Sequence, residues 1–168
     1  ALRGIVLFPG MRFHFDVGRK KSIAAVKAAM HGNQKIFLVT QKEIEDEEPT
    51  SDALFSMGVI AEIKQVIKST DNNFMRVVVE GICRASIIET LQSSPYFITD
   101  VKEKKSQKVK SENTDRAKAA VRMTKELFDA YVHLSQRDVD EAVAKVFFTD
   151  DPCEVADIVA GNSIPKYI

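Results

Sequence analysis

Phe74-Met75-Arg76-Val77-Val78-Val79-Glu80-Gly81-Ile82-Cys83-Arg84-Ala85-Ser86-Ile87-Ile88 is the most β-prone run in the chain, and a glycine interrupts it near its middle. Three consecutive valines suit a strand covered on both faces, because β-branched side chains fit a pleated, buried surface. Gly81 is expected to permit a bulge or sharp bend, with Ile82–Ile88 following as a second strand. Strand, glycine kink and strand are what a small curled sheet needs to turn a corner. The run poses one question: whether Glu80, Gly81, Cys83 and Arg84 form a reactive site or only a structural corner, with Arg84 fixing the bend through hydrogen bonds.

Toward the N-terminus, Ile5-Val6-Leu7-Phe8 reads as a short strand stopped by the turn dipeptide Pro9-Gly10. Met11 to Val17 alternates apolar and polar, the period of a strand with one wet face. The period then changes: Ile23, Val26 and Met30, with Ala29 beside them, predict a helix over 19–30, and Gly32-Asn33 supplies a left-handed stop. Lys35 to Thr40 is a buried-type strand. Six acids between Glu43 and Asp52 read as a solvated loop, since the Asp-x-Asp-x-Asp-Gly spacing of a calcium loop is absent. Met57 to Ile67 alternates again, and Asp71-Asn72-Asn73 closes a hairpin with the run from Phe74. Tyr96 to Val101 follows Pro95 as a further strand. About seven short strands and one helix between Ile5 and Val101 favour a closed or nearly closed barrel.

Toward the C-terminus the composition shifts. Lys102 to Ser111 is polar and lysine-rich, a boundary without the interleaved aromatics that stacking on bases requires. Thr114-Asp115 starts a helix running to His133, about 28 Å long. Its apolar stripe is Ala117, Ala120, Val121, Thr124, Leu127, Phe128 and Tyr131. Asp138 caps a second helix carrying Val139, Ala142, Val143, Val146 and Phe147. Asp151-Pro152-Cys153-Glu154 opens a third with a capping-box pattern, ended by Gly161-Asn162. The expected organisation is α+β: a β-rich subdomain over 1–103, a polar linker over 104–114 and a three-helix unit over 115–168.

Chemistry is sparse. Lysine and arginine together number 24, as do aspartate and glutamate, which argues against a dedicated nucleic-acid or anionic-membrane surface. Two cysteines, Cys83 and Cys153, make no disulfide framework and suit a reducing cytoplasm. No apolar run approaches the length of a membrane span, and no signal peptide is expected. P-loop, Gly-x-Gly-x-x-Gly and Gly-x-Ser-x-Gly motifs are missing. His14, His31 and His133 fall on three different elements. What remains is apolar: Phe8, Met11, Phe13 and Phe15 around the Pro9-Gly10 turn, and Leu54, Phe55 and Met57 beside the acidic loop. Most belong to the core on composition alone. The functional alternative is a compliant patch that binds exposed hydrophobic segments of other proteins.

The order of motifs resembles a known family. Leu2-Arg3-Gly4-Ile5-Val6-Leu7-Phe8-Pro9-Gly10-Met11 is similar to the opening signature of Lon protease N-terminal domains, with Ala1 where that family usually has proline. The similarity continues through Val17–Ile23, Ala28-Ala29-Met30, Ile36–Lys42, Gly58–Ala61 and Val79–Ala85. It ends in Asp150-Asp151-Pro152 with Ala156-Asp157. The resemblance implies a PUA-like β pseudo-barrel with one inserted helix, followed by a C-terminal three-helix bundle. It also implies a fragment of a hexameric parent, whose ATPase module (with ATP and Mg²⁺) and Ser–Lys protease module lie beyond this segment. No cofactor and no catalytic residue are then expected here. The implied role is to recognise unfolded, damaged or degron-bearing proteins in the cytoplasm and to support ring assembly. A purely structural oligomerisation domain and a stand-alone PUA-like ligand or RNA-binding module are the competing expectations. Gly81 and Arg84 fall among the family markers and so read as architecture.

Overall fold

The computed structural model describes residues 1–68, 74–105, 114–135 and 140–163, which fall into two units. The first is an antiparallel sheet with one helix: β1 (Arg12–Val17), α1 (Lys20–His31), β2 (Lys35–Leu38), β3 (Met57–Lys68), β4 (Met75–Gln92) and β5 (Ile98–Lys104). The strand order is β1-β4-β3-β2, and β5 pairs with the far half of β4, beyond β1. The sequence expectation of about seven strands becomes five. Residues 5–8 run without a ladder partner, and the two strands expected on either side of Gly81 are one.

β4 passes through Gly81 unbroken, and the irregularity follows it. Ala61 pairs with Gly81 and Ile60 with Cys83, so Ile82 is the extra residue of a β-bulge. A one-residue slip exchanges the faces of a strand. Met75, Val77 and Val79 therefore lie on the core face before the bulge, with Val59, Ala61 and Ile63 of β3. Beyond it, Arg84 stands opposite Val59. Two more slips between β4 and β5 leave Ile88 and Leu91 as extra residues. Each bulge bends the strand, and the sum is large. Val79 and Gln92 would lie about 43 Å apart on a straight strand at ~3.3 Å per residue. Yet Val77 and Val79 line one cavity together with Ile98, the partner of Gln92. The sheet curls back on itself.

α1 closes the open side. Val26 is buried, and Ile23 and Ala29 pack on the sheet core. Met30, expected inside, is exposed. The helix stop also differs from expectation. Gly32 has φ −98°, and the left-handed residue is Gln34 at φ 61°. Gln34 is held there by its carbonyl, which accepts from the Ile63 N–H at 2.8 Å, and by its own N–H on Ala29 O at 3.0 Å. Tertiary hydrogen bonds thus override the preference for glycine. The turn expected at Asp71-Asn72-Asn73 lies outside the described residues.

The second unit holds α2 (Thr114–Ser135), α3 (Asp140–Phe148) and α4 (Pro152–Ser163). Phe128, Val132 and Val146 form its buried cluster, with Tyr131, Val143, Ile158 and Val159 packed against them. Leu127 and Ala120, expected on the buried stripe of α2, face solvent. Asp151 caps α4 as expected, its Oδ1 accepting from the N–H groups of Cys153 (2.8 Å) and Glu154 (3.1 Å). Glu154 does not return to the cap residue's N–H as a capping box would. Its carboxylate accepts from the Thr149 hydroxyl at 2.6 Å. α4 also continues through Gly161-Asn162, where Asn162 Nδ2 donates back to Ile158 O at 2.7 Å. The Asp138 cap and most of the expected 104–114 linker lie outside the described residues.

Candidate functional site

Gly81 sits against the Phe8–Met11 turn. Gly10 N–H donates to Gly81 O at 2.8 Å, and Gly81 N–H donates to Met11 O at 3.0 Å. A β-carbon on Gly81 would lie 2.3 Å from Phe8 O, so close backbone approach is what this position requires. The Arg84 guanidinium stands 5.9 Å over the Phe8 ring, a cation–π contact that ties the far side of the bulge to the same turn. Glu80 points elsewhere, to Arg12 at 3.6 Å and Lys64 at 3.5 Å. Burial, then the charge of Glu103, pushes the Cys83 thiol up, with Lys35 opposing. A raised thiol is a poor nucleophile at neutral pH.

The seven apolar candidates separate by position. Met11, Phe13 and Phe15 are half-buried and pack on the sheet core, and Phe8 is half-buried under Arg84. Leu54 is 5% exposed, but Phe55 and Met57 are 50% and 45% exposed. Met57 pairs with Ser86, and the Ile87 N–H donates to Ser56 O at 2.9 Å, so these two residues lie alongside the outer half of β4. There the bulge residues Ile88 and Leu91 are 60% and 63% exposed. Their exposure follows from the bulges, because an extra residue escapes the alternation that buries its neighbours. Sequence periodicity could not place them, since the slips are visible only in the pairing with β5. Phe55, Met57, Ile88 and Leu91 form an apolar rim on this unit.

Beside α1 lies a cavity of about 740 Å³, within the range of roughly 300–1,000 Å³ typical of ligand sites. It occupies the mouth left by the curling sheet, between the first turns of α1 and residues 96–99. Its wall is fixed by a buried polar latch that the sequence did not disclose. Gln41 is buried, accepts from Arg19 Nη1 at 2.9 Å and donates to the carbonyls of Glu43 (2.6 Å) and Asp46 (2.8 Å). Arg19 also donates to Ala1 O at 2.9 Å, and Arg3 to Ile44 O. The acidic loop is therefore held by its backbone carbonyls while Glu47 and Glu48 stay exposed.

Among the described residues no three His, Cys, Asp or Glu side chains gather as a metal site would require. His14 stacks on Phe13, His31 contacts Lys27 O, and His133 lies 3.5 Å from Asp129. No helix among them is long and apolar enough to cross a membrane.

Comparison with known proteins agrees in one direction. The family model described as ATP-dependent protease La (LON) substrate-binding domain matches residues 1–166. A Lon protease of Syntrophomonas wolfei is 38% identical over 96% of this chain and 19% of its own length. One of Desulforamulus reducens is 40% identical over the same shares, so the chain spans about one-fifth of these relatives. Among solved structures, the N-terminal domain of a Mycobacterium avium complex Lon protease shares the fold. Its TM-score is 0.73 at 22% identity, over 98% of this chain and 82% of that one.

Proposed function

Because the chain belongs to the LON substrate-binding domain family, we propose that it is a non-catalytic module that holds unfolded, damaged or degron-bearing polypeptides for a longer ATP-dependent protease. In this reading ATP, Mg²⁺ and the cleavage chemistry act in other parts of the cytoplasmic parent. The curled sheet with its single helix is read as a PUA-like pseudo-barrel, and α2–α4 as a small bundle. The observation that carries the reading is the rim of Phe55, Met57, Ile88 and Leu91, four large apolar side chains left in water by strand bulges and a loop. Such surface costs solubility and is compliant enough to accept many sequences. The test is a titration of the 168-residue chain with a chemically unfolded, alkylated protein and with its native form. Binding of the unfolded form only, weakened at least about tenfold by Phe55→Ser with Met57→Ser, is expected, since interface anchors of this kind often carry more than 1 kcal/mol each. Equal binding by the variant would remove the rim from the account.

A second role, in assembly, is favoured by α2. Ala120, Met123, Leu127, Ala130 and Leu134 are all exposed and repeat at alternating spacings of three and four, a heptad seam without a partner in its own unit. In the full-length parent, Met123→Glu with Leu127→Glu is expected to reduce the hexamer fraction in sedimentation. Unchanged hexamers would leave α2 out of assembly.

A further inference from the structure

The cavity beside α1 is not neutral. Arg3, Arg19, Lys20, Lys21 and Lys35 line it, against only Glu47 and Glu48. None of these five cations is ion-paired among the described residues. Arg3 and Arg19 spend their donors on backbone carbonyls and Gln41, and Lys21 lies 5.8 Å over the Phe97 ring. Arg19 is further disfavoured as a cation by burial and then by the charge of Arg3, which outweigh the opposing charge of Asp46. The first turn of α1 adds to the positive potential, having no acidic residue and no side-chain cap. Beneath this rim the floor is apolar, formed by Phe15, Val17, Ile36, Val77 and Phe97. Ile98, at the cavity's edge, pairs with Gln92, the residue after Leu91.

We infer that this cavity takes an extended polypeptide segment in which an aromatic or long aliphatic side chain is flanked by carboxylates. The inference rests on the reading of the chain as a polypeptide-binding module. The apolar side chain fills the floor, and the carboxylates meet Lys20, Lys21 and Lys35 at the mouth. Both terms are needed: a polyanion leaves the floor unfilled, and a neutral apolar segment leaves the cations unpaired.

The experiment is a fluorescence-anisotropy titration of the whole chain with three labelled decapeptides. One carries Leu-Phe between Asp and Glu residues, the second replaces those acids by Asn and Gln, and the third replaces Leu-Phe by Ala-Ala. The first should bind about tenfold tighter than the second at low salt, as two partly screened ion pairs would give, and lose that margin as salt rises. It should also outbind the third. In Lys20→Glu with Lys35→Glu, both exposed, the acidic preference should vanish or reverse. Equal binding of acidic and amide peptides, or a preference that survives charge reversal, would overturn the inference. So would an RNA oligonucleotide that displaces the acidic peptide and outbinds it. If no decapeptide binds but a chemically unfolded protein does, the cavity is excluded and the binding module stands. If neither binds, both fall.

Discussion

The carbonyl oxygen of Phe8 occupies the space that a β-carbon on Gly81 would need, only 2.3 Å from its ideal position. Because the blocking atom is backbone, tied on both sides by the Gly10 and Met11 hydrogen bonds, it cannot step aside cheaply. Gly81→Ala is expected to lower stability by about 1–3 kcal/mol, with Gly81→Val worse. Gly18 is the control, with nothing within 4 Å of its ideal β-carbon and no positive φ. Gly18→Ala should be neutral or gain about 0.4–1 kcal/mol. Urea unfolding followed by circular dichroism separates the two.

Gln41 supports a second prediction. Its side chain is the buried junction between Arg19 and the carbonyls of the acidic loop. Gln41→Leu keeps the bulk but strands those partners, at a cost of about 1–3 kcal/mol for each group left buried and unpaired. Hydrogen exchange should rise through residues 43–48 while β3 and β4 keep their protection. Unchanged exchange in the loop would show that the latch is not what holds it.

Asp16 and Arg76 form an exposed bidentate pair at 2.8 and 2.9 Å across β1 and β4. The hydrogen bond from Arg76 chiefly holds the Asp16 carboxyl below the usual carboxylate range; desolvation opposes it, and the charges of Arg76 and His14 reinforce it. A depressed acid contributes stability above its unfolded pKa and loses it as pH falls through the folded one. Carbon-detected NMR titration should therefore show the Asp16 midpoint rising in Arg76→Gln. The stability difference between the two proteins should shrink below the ordinary carboxylate pKa.

Cys83 is predicted to alkylate slowly at neutral pH, with a rate midpoint above that of an unperturbed thiol, since burial and Glu103 both disfavour its thiolate. Iodoacetamide kinetics on a Cys153→Ser background read this directly. A midpoint below the ordinary thiol value would reopen Cys83 as a reactive group.

Much of this was legible in local pattern. The alternation of Met11–Val17 and Met57–Ile67 and the 3.6-residue repeat around Val26 each became the expected element, because a single buried face imposes its period on the sequence. The cap at Asp151 was equally local. What escaped depends on partners distant in sequence. The Ile88 and Leu91 bulges are defined by β5; the bulge expected at Gly81 falls on the next residue, Ile82, and the glycine itself serves a close approach to Phe8. Gln34 takes the left-handed position expected of Gly32-Asn33 because Ile63 bonds its carbonyl. The apolar candidates were the least legible. Phe13, Phe15 and Leu54 pack inward, only Phe55 and Met57 of the expected patch stay strongly exposed, and the exposed Ile88 and Leu91 lie outside it.

The claim that an apolar rim on the curled sheet holds unfolded polypeptide is tested most directly by hydrogen exchange of the chain with and without a saturating unfolded protein. Exchange should slow at residues 55–58 and 86–92 and stay unchanged in α2. Protection confined to the helices, or none at 55–58 and 86–92 despite binding, would contradict it.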